Sequence, residues 1–242
     1  MVMGIHAVTE LLNQHPTQIK QLLVQEGRSD ARLKAVLTLA DAAGISAETV
    51  ARKDLDENVG GSHQGVAARC EFLDSTRDEK FLWTMLDNIQ HDPLILVLDE
   101  ITDPHNLGAC LRTADAAGVD AVIIPKNRSA ALNMTVRKVA SGAAETVNLV
   151  AITNLSRTLK ALQQRGIWVV GTAGEATKSL HEQDLTGPLA VVMGSEGHGL
   201  RRLTREGCDF LVSIPMSGKL SSLNVSVATG ICLFEVLRQR QK

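Results

Sequence analysis

The chain has 242 residues, 44% of them hydrophobic, and a formal net charge of −2. At roughly 100–200 residues per domain, that length allows one large domain or a small one beside a larger one. Aromatic side chains make up 2% of the chain, with no Tyr, which argues against a single-strand RNA binder built on stacking platforms, and the near-neutral balance excludes a chain-wide basic footprint, so any nucleic-acid surface is local.

Candidate local runs are Lys126, Arg128, Arg137 and Lys138 in one stretch and Arg201, Arg202 and Arg205 in another; such runs are commonly no more than solvated faces. The four cysteines, at 70, 110, 208 and 232, have neither metal-ligand nor redox spacing. They are expected to be reduced, mostly buried thiols of a cytoplasmic protein. The opening MVMGIHAVTELL has no basic leader pattern, and no apolar run approaches the roughly 18 residues of a membrane span.

The first seventy residues alternate in pattern. HAVTELLN reads as helix, IKQLLVQ as strand, and DARLKAVLTLADAAG as a helix with apolar steps of three and four and a closing Gly. ISAETV is extended, KDLDENVGG a short helix with a Gly stop, and GVAARCEF a strand. Residues 1–72 are thus expected to form a small α/β domain. Residues 73–91 are charged, end near Asp92-Pro93 and read as a linker with one short helix. From there to 242 the runs LILVLDEI, AVIIP, TVNLVAI, IWVVGTA, LAVVMGSE and FLVSIP are short, β-branched and nearly continuous in apolar residues, the pattern of strands buried on both faces. Helical patterns at 106–118, 129–142, 154–165, 199–207 and 223–240 separate most of them. This alternation predicts a doubly wound α/β domain with a mostly parallel sheet.

In such sheets ligands bind beyond the carboxyl ends of the strands. Three of those ends are rich in glycine and small polar residues: WVVGTAGEA with Gly171 and Gly174, VVMGSEGHGL with Gly194, Gly197 and Gly199, and IPMSGKLSSLN. Two nucleotide motifs fail. Gly218-Lys219 has Ser213 rather than Gly five residues earlier and Leu220 after it, and GSEGHG reverses the glycine spacing of the dinucleotide fingerprint. In LDEITDPHNLGACLRTADAAG, Asp103-Pro104 opens a helix that carries Asn106 and Arg112 and ends at Gly118. A lone helical Arg is usually a surface residue.

Taken together, Asn106-Leu-Gly108-Ala-Cys-Leu-Arg112, Gly194-Ser-Glu196-Gly197-His-Gly199-Leu200, and Ile214-Pro215-Met216 with Ser222-Leu223-Asn224-Val225-Ser226-Val227-Ala228 resemble, in order, the three motifs of the SpoU (SPOUT-class) RNA ribose methyltransferases. Gly4-Ile-His6-Ala-Val8, His63-Gln64-Gly65, RKVASGAAE and NLSRTL extend the likeness over essentially the whole chain, to the subfamily acting on a guanosine of 23S ribosomal RNA. Only three residues precede Gly4, so the first segment is expected to be abbreviated relative to that pattern.

The resemblance implies S-adenosylmethionine as methyl donor, 23S ribosomal RNA as substrate (the guanosine of the peptidyl-transferase P loop), an N-terminal RNA-binding domain, a homodimer with the site near its interface, a deep trefoil knot and no metal. It implies catalytic roles for Arg112, Asn106, Glu196, Ser222 and Asn224. Arg112 would stabilise the 2′-oxyanion and grip a phosphate, or act as the base, and Glu196 would orient Arg112 or another donor. It implies cofactor contacts at Gly194, Ile214, Leu223, Thr172, Gly174, Met193, Gly199 and Met216. Helix capping is the plainer reading of Ser222 and Asn224. A tRNA ribose methyltransferase, a non-catalytic ribosome-assembly factor and a nicotinamide enzyme are the rival functions, the last disfavoured by the missing fingerprint.

Overall fold

The computed structural model describes residues 1–59, 63–71, 75–219 and 221–241, without the side chains of Gln14 and Asn58. The chain divides into two units, Met1–Asp74 and Ser75–Lys242.

The first unit runs β1 (Val2–Met3), α1 (Ile5–Gln14), β2 (Ile19–Gln25), α2 (Ala31–Ala42), β3 (Ala47–Val50), α3 (Arg52–Val59) and β4 (Val66–Cys70). Its four-stranded sheet has the order β1-β4-β2-β3, with β4 antiparallel to both neighbours and β2 parallel to β3. The expected helices and strands form. Strand β1, two residues long, is too short to show a period. The Gly stop at 60–61 and Phe72 lie outside the described residues. Two motif segments far apart in sequence interlock here: the Ile5 amide donates to Gln64 Oε1 (3.2 Å), and the Gly4 amide to the Val66 carbonyl (3.1 Å). His63 is buried, accepts from the Gly65 amide at Nδ1 (3.0 Å) and donates from Nε2 to Asp56 (2.8 Å). The HQG segment therefore builds a turn that caps the first helix.

The second unit runs α4 (Glu79–Asn88), β5 (Leu94–Leu98), α5 (Pro104–Ala116), β6 (Ala121–Pro125), α6 (Met134–Ala140), α7 (Ala143–Thr146), β7 (Leu149–Ile152), α8 (Leu155–Gln164), β8 (Trp168–Thr172), β9 (Leu189–Met193), α9 (Arg202–Glu206), β10 (Phe210–Val212) and α10 (Val225–Arg240). Six strands pair in parallel in the order β10-β8-β9-β5-β6-β7. Side chains alternate across a strand, and β5 uses both sides. Leu94, Leu96 and Leu98 pack in the cluster that holds Leu107 and Leu111 of α5 and Cys232, Leu233 and Val236 of α10. Ile95 and Val97 pack with Leu82 of α4 and Leu155, Leu159 and Leu162 of α8. Two buried faces explain the unbroken apolar runs, and helices on both sides make the sheet doubly wound.

Two expectations need correction. Residues 75–91 are not a linker: the Arg77 amide donates to the Leu149 carbonyl (2.7 Å) and the Ala151 amide to the Arg77 carbonyl (2.9 Å), extending the sheet beyond β7. Helix α4 follows at once, with Leu82 in the core and Glu79 accepting from buried Thr158 and from Arg157, both at 3.0 Å. Its charged face hid one apolar stripe. The single helix expected at 129–142 begins only at Met134 and breaks at Ser141 and Gly142, whose φ angles are +51° and +94°.

Candidate functional site

The strand order steps outward in both directions from the β5–β9 pair. After β5 the chain enters α5 on one face of the sheet. After β9, Leu200 packs with the core of the opposite face. Connections leaving two adjacent parallel strands on opposite faces open a crevice at their carboxyl ends, the switch point where ligands bind in such folds.

The three small-residue loops meet beside that crevice because β10, β8 and β9 are neighbours in the sheet. They enclose a cleft of about 720 Å³, a size typical of ligand sites. Its walls include Thr172, Gly174, Met193, Gly194, Glu196, Gly199, Ile214, Met216, Ser222 and Leu223. All eight residues expected to hold a cofactor thus line one cleft. Gly194 is required there sterically: a Cβ would lie 2.2 Å from the Gly199 carbonyl carbon and 2.4 Å from the Leu200 nitrogen. The loop closes on itself through Ser195 N–H to Gly199 O (3.1 Å) and Gly199 N–H to Ser195 O (2.9 Å). Thr172 turns its hydroxyl to the Val192 carbonyl (3.2 Å).

At the crevice the side chains of Asn106, Glu196 and Asn224 form a closed ring. Asn224 Nδ2 donates to Asn106 Oδ1 (2.8 Å) and to Glu196 Oε1 (2.6 Å), and Asn106 Nδ2 donates to the same Oε1 (3.2 Å). The Val225 amide adds a third donor to Oε1 at 3.2 Å. Each member is set by its local structure. Asp103 caps α5 by accepting from the His105 amide (2.9 Å), with Pro104 in its first turn, and so places Asn106 on the first turn. Asn224 caps α10 with its other amide atom, Oδ1, which accepts from the Ser226 amide (2.9 Å). Capping and ring formation therefore use different atoms of one residue. Glu196 Oε1 carries three donors, while Oε2 has no hydrogen-bond partner among the described residues.

Arg112 and Ser222 do not join the ring. Ser222 is exposed on the cleft wall. Arg112 is exposed on α5 and donates from Nη1 to Ser141 Oγ at 3.4 Å, with no contact to Glu196. Gly108, one turn earlier, lets the crossing helix come close: a Cβ there would lie 2.7 Å from the Val136 carbonyl oxygen and the Val139 Cβ of α6. His198 lines the cleft, and His105 is exposed outside it.

Most of the basic residues expected as nucleic-acid surface are committed to carboxylates. Arg137 is buried and paired with Glu145, and Arg205 is paired with Glu175. Arg202 pairs with Glu206 at 2.8 Å. Arg201 meets fully buried Asp99 through Nε (2.7 Å), Nη2 (2.6 Å) and its backbone amide (3.2 Å), and Glu100 through Nη1 (3.3 Å). Arg128 shares Glu100 at 3.0 Å. The Asp99–Arg201 clamp fastens the exit of the 194–200 loop to the end of β5. Sequence reasoning missed it because its partners stand about a hundred residues apart with no local signal; the acidic pair ending LDE was the one hint.

Burial pushes the Cys110 thiol up to about 11, and the Cys208 and Cys232 thiols to about 12. Cys110 and Cys232 are buried, whereas Cys70 and Cys208 are half-buried. Among the described residues no helix is long and apolar enough to cross a membrane, and no group of three or more His, Cys, Asp or Glu is placed to hold a metal ion.

Residues 93–234 match the model of the SpoU rRNA methylase family, and residues 1–76 match an RNA 2′-O ribose methyltransferase substrate-binding model. The chain is 58% identical to the 23S rRNA (guanosine-2′-O-)-methyltransferase RlmB of Pseudomonas putida over 99% of this chain and 96% of that protein. A crystal structure of an RNA 2′-O ribose methyltransferase, 29% identical, superposes with a TM-score of 0.67, covering 100% of this chain and 88% of that one. The SpoU methyltransferase AviRb of Streptomyces viridochromogenes, solved with AdoMet, shares the fold at 24% identity and a TM-score of 0.69, over 98% of this chain and 89% of its own. A cleft of glycine-rich loops at the switch point, a ring joining three motifs and these matches agree: the chain belongs to the SpoU rRNA methylase family.

Proposed function

We propose that this chain transfers the methyl group of S-adenosylmethionine to the ribose 2′-oxygen of a guanosine in 23S ribosomal RNA, that of the peptidyl-transferase P loop. The observation that carries the reading is the Asn106–Glu196–Asn224 ring standing beside the cleft.

The cleft fits the cofactor. Its volume suits a molecule of that size, main-chain groups at Gly194, Ile214 and Leu223 supply hydrogen-bonding edges, and Met193, Met216 and Ala228 supply apolar wall. When bound, the sulfonium supplies an already activated methyl group. The chain's task is then alignment, which in well-oriented systems lowers a barrier by about 7–11 kcal/mol. The 2′-oxygen would bond to the methyl carbon as the carbon–sulfur bond breaks, the sulfur departing as a neutral thioether and the hydroxyl proton passing to solvent water. Arg112 faces the developing oxyanion and the neighbouring phosphate; a guanidinium is a strong donor to both and a poor base. The ring holds the ribose, with Asn106 and Glu196 Oε2 as its free edges and Ser222 as a further donor. Glu196 orients the two asparagines rather than Arg112, since they are its donors.

Arg112 lies off the cleft wall, and the reading completes the site with a second copy of the chain. Val227 and Phe234, seven residues apart on α10 and about half exposed (51% and 52%), offer an apolar face for that homodimer. The knot is part of the same reading. Ser213 pairs with residues 178–180, and Ser221 O lies 3.8 Å from where a Gly174 Cβ would stand, so the 213–224 segment runs against the 173–188 loop at two points. Free thiols, a ribosomal substrate and the absence of a spanning helix among the described residues support a cytoplasmic location.

The test is methyl incorporation from labelled S-adenosylmethionine into unmodified 23S transcripts, with tRNA transcripts in parallel and the modified position mapped. Arg112→Ala is expected to bind the cofactor as the parent does and to lose at least about a hundredfold in transfer, the scale of one lost transition-state donor. Equal turnover in the variant removes Arg112 from the mechanism, and labelling of tRNA alone overturns the substrate.

A further inference from the structure

Among the described residues, four other than glycine hold a left-handed backbone: Gln64, Glu100, Arg128 and Ser141. Side chains of these types seldom adopt it, and the surrounding structure has to impose it. In three of the four the side chain goes to a definite partner inside the fold. Gln64 Oε1 accepts from the Ile5 amide at the head of α1 (3.2 Å), and Glu100 and Arg128 pair with each other at 3.0 Å. The fourth, Ser141, turns its hydroxyl to Arg112, whose Nη1 lies 3.4 Å away.

Ending a helix does not by itself call for a serine at 141. One left-handed residue, most often glycine, closes a helix, and glycine would take the Ser141 angles at less cost. Gly142, already left-handed at φ +94°, follows directly. Two further features bring this corner to Arg112. Gly108, one turn before Arg112 on the same face of α5, lets Val136 and Val139 of α6 come close. The buried Arg137 side chain crosses from α6 to Glu145 of α7 and ties the helices together across the Ser141–Gly142 corner. The contact so produced joins two exposed side chains, so it adds little to folding stability.

The chemistry of the partner is informative as well. Arg137, Arg201, Arg202 and Arg205 each face a carboxylate. Arg112 forms no ion pair among the described residues, and its partner is a neutral hydroxyl. A hydroxyl oxygen orients a guanidinium without cancelling its charge, which a group that stabilises an anion has to keep.

We infer that Ser141 is a positioning residue for methyl transfer: its hydroxyl accepts from Arg112 Nη1 and restricts the guanidinium to the direction the reacting 2′-oxygen requires. The inference rests on the function proposed above, in which Arg112 faces that oxygen, and deepens it by naming what aims the side chain. A free arginine on a helix surface spreads over many rotamers, and time spent in the others is lost to the reaction.

The experiment is a double-mutant cycle on the full chain, with Ser141→Gly, Arg112→Ala and the two together. Single-turnover methyl transfer to an unmodified 23S transcript, cofactor affinity and the denaturation midpoint are measured on the same preparations. Ser141→Gly relaxes the backbone and removes the hydroxyl. It is expected to leave the midpoint at or above the parent's and cofactor affinity unchanged, while transfer slows about three- to tenfold, the scale of one hydrogen bond. A merely structural serine would show the opposite pairing, a lower midpoint with transfer per folded molecule unchanged. Ser141→Ala, which keeps the Cβ and loses only the hydroxyl, should slow transfer as much and guards against loosening of the corner by glycine. In the Arg112→Ala background Ser141→Gly is expected to have no further effect. Parent-speed transfer by both serine variants, or equal slowing in the Arg112→Ala background, overturns the inference while the hundredfold loss in Arg112→Ala still stands. Arg112→Ala at parent speed, or no transfer by the parent, overturns the reading beneath it.

Discussion

Asp99 and Glu196 sit within the same crevice region, one after β5 and one after β9, and their surroundings could hardly differ more. Asp99 is fully buried and both its oxygens are occupied by Arg201. Glu196 is exposed, one oxygen holds three donors and the other none. A saturated, buried carboxylate is architecture, because any loss leaves an uncompensated charge. A half-saturated, exposed one has its position fixed while one oxygen stays available to a ligand, as the proposed site requires.

The largest effect expected from this contrast is on Asp99. Asp99→Ala strands Arg201 and should destabilise the fold by about 2–4 kcal/mol, somewhat under the usual 3–5 kcal/mol for a broken buried pair because Arg201 is 36% exposed. Denaturant titration reads this directly, and a change under about 0.5 kcal/mol would dissolve the contrast. Glu196→Gln should do the reverse. It keeps the bulk and an acceptor, so stability should shift by less than about 1 kcal/mol, while methyl transfer falls by at least about tenfold as charge is lost beside the ribose position we propose.

A smaller effect sharpens the comparison with a third carboxylate. Bidentate hydrogen bonding by Arg238, aided by Gln239 and His181, holds the Glu235 carboxyl down at about 2. A carboxylate whose folded value is depressed stabilises the fold above its ordinary value near 4.5 and loses that contribution as pH falls towards 2. Stability measured from pH 5 to 2 should therefore drop less steeply in Glu235→Gln than in the parent. The least effect expected is chemical: at pH 8 the thiols of Cys110, Cys208 and Cys232, the ones raised to about 11–12, should react with a thiol reagent far more slowly than an unfolded control.

The sheet was largely legible in the chain because parallel strands buried on two faces write themselves as short apolar runs; AVIIP is strand β6 residue for residue. Helix α4 was not, since its docking depends on one buried Leu82 and on Glu79 meeting a helix some eighty residues away. In the cleft, resemblance marked the glycine loops and the ring members, but composition could not reveal which arginines were already paired. Arg137 and Lys138 are neighbours in sequence, yet one is buried against Glu145 and the other open to solvent. Partner choice is a tertiary property, and a run of charge in a sequence does not disclose it.

The ring also fixes when the protein can begin to work. Its members come from residues 106, 196 and 224, and β5, the first strand of the sheet, must find β9 some ninety residues later. Contacts so distant along the chain form slowly. A nascent polypeptide on the ribosome therefore has no closed ring until Asn224 has emerged and helix α10 has docked, long after Asn106 has been made.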